Sequence, residues 1–150
     1  MADQIFRCEH CGAFNRLGLL YVPGREPTCG KCKEALSATG APSHLGPGEL
    51  EAARTSCPVP LLVDFWAPWC GPCRAMAPAL EQLGRDLAGK VVVAKLNTDE
   101  DPAASQGLGI QGIPTLILFR DGREVDRLIG ARPLADLRAF VDQATLSVIA

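Results

Sequence analysis

Beyond residue 46 the apolar positions fall into two patterns. Residues 61–66 (Leu61-Leu62-Val63-Asp64-Phe65-Trp66) and 91–96 are nearly continuous apolar runs, as in strands buried on both faces. Between them Leu80, Leu83 and Leu87 recur at helical spacing and predict a helix over 73–87. Pro78 lies inside that helix and is expected to kink it. Residues 47–54 read as a short helix with a proline near its start, and 102–106 as another. Residues 115–120 and 124–129 flank Asp121-Gly122, a two-residue hairpin turn. Residues 133–144 close the chain as an amphipathic helix with Leu134, Leu137, Phe140 and Val141 on one face. Strands alternating with helices, then a hairpin and a helix, predict an α/β fold with a mixed sheet between helices.

The first 38 residues follow a different pattern. Cys8-Glu9-His10-Cys11 and Cys29-Gly30-Lys31-Cys32 are two knuckles separated by seventeen residues, the spacing of a four-cysteine zinc site. Each knuckle turns tightly enough to aim two sulfurs at one ion, and Gly12 and Gly30 are expected to relieve the crowded backbone. Phe14, Leu19, Leu20, Tyr21 and Val22 supply strand-type residues before the turn Pro23-Gly24-Arg25, as in a zinc ribbon. The alternative is two disulfides; a reducing, cytoplasmic location favours zinc. Four thiolates complete a tetrahedron, which leaves His10 to solvent.

A third pair, Trp69-Cys70-Gly71-Pro72-Cys73, stands where a strand gives way to a helix. A bare CxxC is ambiguous between metal and redox chemistry, but a helix N-terminus offers unpaired N–H groups and partial positive charge that favour a thiolate. This placement is expected to expose and activate Cys70 as the nucleophile, with Cys73 within reach to resolve the intermediate. Of seven cysteines one is left over, Cys57. It could be a regulatory thiol, but a small packed apolar side chain is the simpler reading.

Charge and composition narrow the class further. Fifteen Lys and Arg against 17 Asp and Glu give a net charge of −2, to which a tetrathiolate zinc site would add two more negative charges. Residues 1–38 carry five Arg/Lys and four Asp/Glu, with no basic footprint for nucleic acid or an anionic membrane. The N-terminus has no basic, then apolar, export pattern, and no run is long enough to span a membrane. The small, turn-forming stretch 38–42 marks a boundary. We therefore expect a four-cysteine zinc ribbon over 1–38, a linker and first short strand over 39–46, and the larger domain over 47–150.

From about Pro42 onward the chain resembles thioredoxin. The resemblance is carried by Val63-Asp64-Phe65-Trp66-Ala67, Trp69-Cys70-Gly71-Pro72-Cys73, Val93-Ala94-Lys95-Leu96-Asn97 and Gly112-Ile113-Pro114-Thr115. With the four N-terminal cysteines, the whole is similar to the zinc-containing bacterial thioredoxins, the thioredoxin-2 group. The resemblance implies a thioredoxin fold behind a small zinc ribbon, Cys70 as attacking and Cys73 as resolving thiol, and Asp64 as the buried acid assisting the latter, with Lys95 beside it. Pro114 matches the cis-proline facing the disulfide, and Trp69, Gly71, Pro72, Ile113 and Gly130 would border the substrate groove. Gln111 stands where many relatives carry a basic residue, which touches substrate preference only. Burial would raise the pKa of Asp64 toward neutrality, as a proton relay needs.

The implied function is a protein-disulfide reductase acting as a cytoplasmic monomer on oxidised proteins. It would hold one structural Zn2+ and no bound organic cofactor, and be recharged by an NADPH-dependent thioredoxin reductase. Two rivals are a redox-switched zinc-dependent holdase and a partner-binding ribbon carried on this domain. An oxidase or isomerase is disfavoured by the Gly-Pro dipeptide, which in this family is the reducing type.

Overall fold

A computed structural model describes residues 4–18, 22 and 25–149, with side chains to Thr145. Leu19, Leu20, Tyr21 and the turn residues Pro23 and Gly24 lie outside the described residues. The elements are β1 (Gln4–Arg7), β2 (Phe14–Leu17), β3 (Ser43–Leu45), α1 (Leu50–Ser56), β4 (Leu61–Trp66), α2 (Gly71–Asp86), β5 (Val92–Asn97), α3 (Pro102–Gly107), β6 (Thr115–Arg120), β7 (Arg123–Ile129) and α4 (Leu134–Ile149). β1 and β2 form an antiparallel hairpin, and the others form one sheet in the order β3-β5-β4-β6-β7. β3, β5 and β4 run parallel, and β6 and β7 are antiparallel to their neighbours. This is the mixed sheet that the apolar runs predict.

Alternation along β4 assigns its two faces. Leu61, Val63 and Phe65 pack with Ile117 and Phe119 of β6 against Leu50 and Ala53 of α1. Leu62 faces the other way, onto Met76, Leu80 and Leu83 of α2 and Leu137 and Val141 of α4. By the two-residue strand period Asp64 shares the α2 face with Leu62. The same period puts Lys95, its neighbour in the β4–β5 register, on that face too.

Several boundaries differ from expectation for local reasons. α1 begins at Leu50 rather than residue 47, because Pro47-Gly48 make a turn in which Gly48 has φ +78°. α2 starts at Gly71, since Pro72 suits a first helical turn whose N–H groups have no helical partner. It then runs through Pro78 to Asp86. α4 continues five residues past 144. At the β6–β7 turn Asp121 and Gly122 have φ +54° and +78°, the paired left-handed geometry of a two-residue hairpin loop.

The N-terminal hairpin does not stand clear of the main sheet. Ile5 donates its N–H to Gly89 O at 3.0 Å and packs into the same core as Leu45, Ala94 and Leu96. Where the chain passes from one part to the other, Gly40 (φ +84°) lies against Gly84 of α2. A Cβ on Gly40 would come 2.2 Å from Gly84 O, and one on Gly84 2.3 Å from Gly40 O, so the two backbones touch. Arg7 is 7% exposed. Its Nη1 donates to Ser43 Oγ at 2.9 Å and His44 O at 3.2 Å, and its Nη2 to Glu49 Oε2 at 3.1 Å.

Candidate functional site

β4 ends at Trp66, and Ala67 to Trp69 turn the chain into α2, whose N-cap is Cys70. Cys70 and Cys73 are joined in a disulfide with their Cα atoms 5.3 Å apart. The Cys73 N–H donates to Cys70 Sγ at 3.2 Å, using one of the orphan donors of the first helical turn. Exposure does not separate the two residues, which are 4% and 2% exposed, so the expected exposed sulfur is not seen in this oxidised pair. What separates them is the cap position: Cys70 Sγ receives the N–H and lies 3.8 Å from Ile113 O, whereas Cys73 is inside the helix.

The surroundings are apolar on one side and open on the other. Ala67, Cys70 and Cys73 form a small cluster against which Trp66 and Ile113 pack. The Ile113–Pro114 bond is cis, and Gly130, at φ +95°, donates its N–H to Pro114 O at 2.8 Å. The structure thus brings Ile113, Pro114 and Gly130 together beside the cysteines, with Gly71 and Pro72 exposed at the helix start. Trp69 is 69% exposed, and its Nε1 donates to both carboxylate oxygens of Asp99, at 3.2 and 3.1 Å. Asp99 escaped the sequence reading, because a lone acid in the polar stretch after β5 carries no signal of its own. A cavity of about 730 Å³, lined by Pro60, Leu87, Leu118 and Val141, opens at the opposite end of the strands, away from this chemistry.

On the α2-facing side of β4 lies Asp64, 1% exposed, whose buried Oδ1 has no hydrogen-bond partner among the described residues. Burial pushes its carboxyl up to about 7, against a smaller downward pull from the Lys95 ammonium. No ion pair closes between them among the described residues; Lys95 Nζ instead sits 4.4 Å from the centre of the Trp66 ring. A carboxyl poised near neutrality on the face that α2 covers is suited to accepting a proton from a group on that helix.

Residues 51–143 match the thioredoxin family. The chain belongs to that family. The thioredoxin of Alicyclobacillus acidocaldarius is 59% identical over 80 residues, 53% of this chain and 76% of its own length. That of Haemophilus influenzae is 40% identical over 100 residues, 67% of this chain and 94% of its own. The chloroplastic M-type thioredoxin of Zea mays is 44% identical over 88 residues, and the match spans 53% of its length. The family chemistry is thiol–disulfide oxidoreduction, and this chain is an oxidoreductase of that kind. No helix among the described residues is long and apolar enough to cross a membrane.

The cysteine quartet lies before the span of the thioredoxin match. Cys8, Cys11, Cys29 and Cys32 bring their sulfurs within 4.8 Å of one another, with Cys8–Cys32 at 3.6 Å and Cys11–Cys29 at 3.7 Å. A tetrahedron with Zn–S bonds of about 2.3 Å has edges of about 3.8 Å, so four thiolates here fit one zinc ion. The backbone N–H of Cys32, the Asn15 amide and the Lys31 N–H lower the Cys29 thiol. At Cys32 the Glu34 backbone contact is outweighed by burial and the three other sulfurs, which raise it, so all four become thiolates together only around a cation. In the first knuckle Gly12 takes φ +80°, as expected; in the second Lys33 (φ +68°), not Gly30, takes the left-handed position. His10 is exposed and outside the quartet. Cys57 is buried in the main core, and desolvation raises its thiol to about 11, which suits packing rather than reactivity.

Proposed function

We propose that the protein is a protein-disulfide reductase of the zinc-containing thioredoxin group, acting on oxidised proteins in a reducing compartment. The observation that carries this reading is the Cys70–Cys73 disulfide at the start of α2, the helix covering the strand face that holds the buried Asp64. In the reduced form the Cys70 thiolate attacks a substrate disulfide, forming a Cys70–substrate bond and releasing one substrate thiolate. Cys73 then loses its proton toward Asp64 and attacks Cys70 Sγ, which releases the second substrate thiolate. Two electrons pass to the substrate, whose two thiolates take up one proton that left Cys73 by way of Asp64 and one from water, and the protein is left with the disulfide seen here. The next cycle needs an NADPH-dependent thioredoxin reductase. Ile113, Pro114 and Gly130, with Trp69, Gly71 and Pro72, form the docking edge, where an extended substrate segment pairs with backbone.

We place Cys8, Cys11, Cys29 and Cys32 around one structural zinc ion. We read residues 1–38 as a metal-dependent module joined through 39–46 to the thioredoxin domain of 47–150. The quartet's geometry supports this, and it also keeps open a second role as an oxidant-sensitive module, because oxidised thiolates no longer hold metal. Insulin reduction coupled to NADPH consumption, run beside zinc quantification, tests both parts. Absence of coupled reduction would remove the reductase reading, and a zinc content well below one per chain would remove the metal.

A further inference from the structure

The contacts of the N-terminal module lead, residue by residue, to the lip of the active site. Glu9, inside the first knuckle, accepts hydrogen bonds from Ser43 Oγ and, at 3.2 Å, from the His44 N–H. Arg7 binds the same two residues of β3 and, through Glu49, the turn at 46–49. Both β3 and that turn hold the loop after β5. His44 Nε2 lies 3.3 Å from Glu100 Oε1, and Gly48 N–H donates to Asp101 Oδ2 at 3.0 Å. Between Glu100 and the strand stands Asp99, whose backbone N–H is bound by Asn97 Oδ1 at 2.9 Å and whose carboxylate holds the Trp69 indole. Trp69 adjoins Cys70 and is the large exposed side chain at the disulfide's edge.

We propose that Glu9 and His44 are positioning residues: through Glu100 and Asp99 they fix Trp69 as a docking wall for protein substrates, so that the N-terminal module tunes substrate capture rather than the sulfur chemistry. The proposal rests on the reductase reading above. A side chain held at both ends meets a substrate without losing further rotamer freedom, and slack in the loop costs capture first. A small disulfide that reaches Cys70 without touching Trp69 is indifferent to the relay.

The test uses the full-length protein, Glu9→Gln and His44→Ala, each labelled with 5-fluorotryptophan. Insulin and an aromatic small-molecule disulfide serve as the two substrates. His44 is exposed and outside the module, so His44→Ala cuts the link to Glu100 while leaving the His44 N–H bond to Glu9 in place. The expected result is a rise of about three- to fivefold in KM for insulin, the scale of a lost surface polar contact, with kcat and the small-disulfide rate unchanged. The fluorine resonance of Trp69 should shift or broaden in both variants while that of Trp66 stays. Unchanged KM and an unchanged Trp69 resonance in both variants overturn the proposal, as does an equal loss on the two substrates. Should the unmodified protein reduce neither substrate, the reductase reading fails, and the Trp69 resonance still decides whether the relay exists.

Discussion

Asp64 and Lys95 are direct partners in the parallel β4–β5 register, yet Lys95 directs its ammonium to the Trp66 ring and leaves the carboxyl short of a partner. A closed ion pair would hold Asp64 low and ionised. The open arrangement lets burial win, and the carboxyl titrates at about 7. Asp64→Asn should therefore slow the second, resolving attack more than the first, since an amide cannot accept the Cys73 proton. Stopped-flow reduction of a model disulfide separates the two steps. Equal losses in both, or none, would make Asp64 a structural acid.

The same shift makes stability depend on pH with a definite sign. The folded carboxyl keeps its proton up to about pH 7, whereas the unfolded one releases it near 3.8. Between those values the folded state binds more protons, so the Asp64 contribution to stability falls as pH rises and is fully lost above about 7. The loss is on the order of 4 kcal/mol. Urea unfolding should find Asp64→Asn stabilised by a large part of that at pH 8 and near parity at pH 4.

Cys70→Ser should abolish disulfide reduction, while Cys73→Ser should still attack and accumulate a mixed disulfide on Cys70. The N-cap position of Cys70 is the reason, because its sulfur alone receives the helix's free N–H. Mass spectrometry of the Cys73→Ser protein after incubation with an oxidised substrate reads the result directly. A substrate bound through any other cysteine would reassign the nucleophile.

Chelation should unfold the N-terminal module and release one zinc ion per chain. A segment of about 38 residues buries too little apolar surface to fold unaided. Apart from Ile5 and the partly buried Phe14, both faces of the main sheet are packed by residues from Leu45 onward, so reduction of small disulfides should survive metal removal. A chromophoric chelator run beside the reductase assay shows both. If small-disulfide reduction stopped as zinc left, the module would belong to the catalytic architecture.

Ile5→Ala should destabilise the thioredoxin domain itself, by about 2–4 kcal/mol, as for other large-to-small changes in a core. Ile5 comes from the module but is 2% exposed in the main core. Urea unfolding followed by tryptophan fluorescence, which reports on Trp66 and Trp69, measures it. A change confined to zinc affinity would mean that the two cores are independent.

Much of the fold was legible because its signals are local. β4 runs over the residues its apolar run predicts, and Asp121-Gly122 turns where the dipeptide demands left-handed backbone. β1 was not foreseen: Ile5 and Phe6 are too short a run to stand out, and they form a strand by pairing with β2 and bridging to Gly89. Which cysteines come together was legible from spacing, since each knuckle and the Cys70–Cys73 pair bring two sulfurs onto one turn. Arg7, Glu9, His44 and Asp99 were not. Each is an ordinary charged or polar residue, and its partner lies about 30 residues or more along the chain.

The contact between Gly40 and Gly84 has a consequence for the time course of metal loss. An unfolded module is still anchored within a few residues of its docking surface, so its return is a unimolecular event at millimolar effective concentration rather than a search through solution. Re-docking after zinc is restored should then be independent of protein concentration, and dilution should neither slow it nor lower its yield.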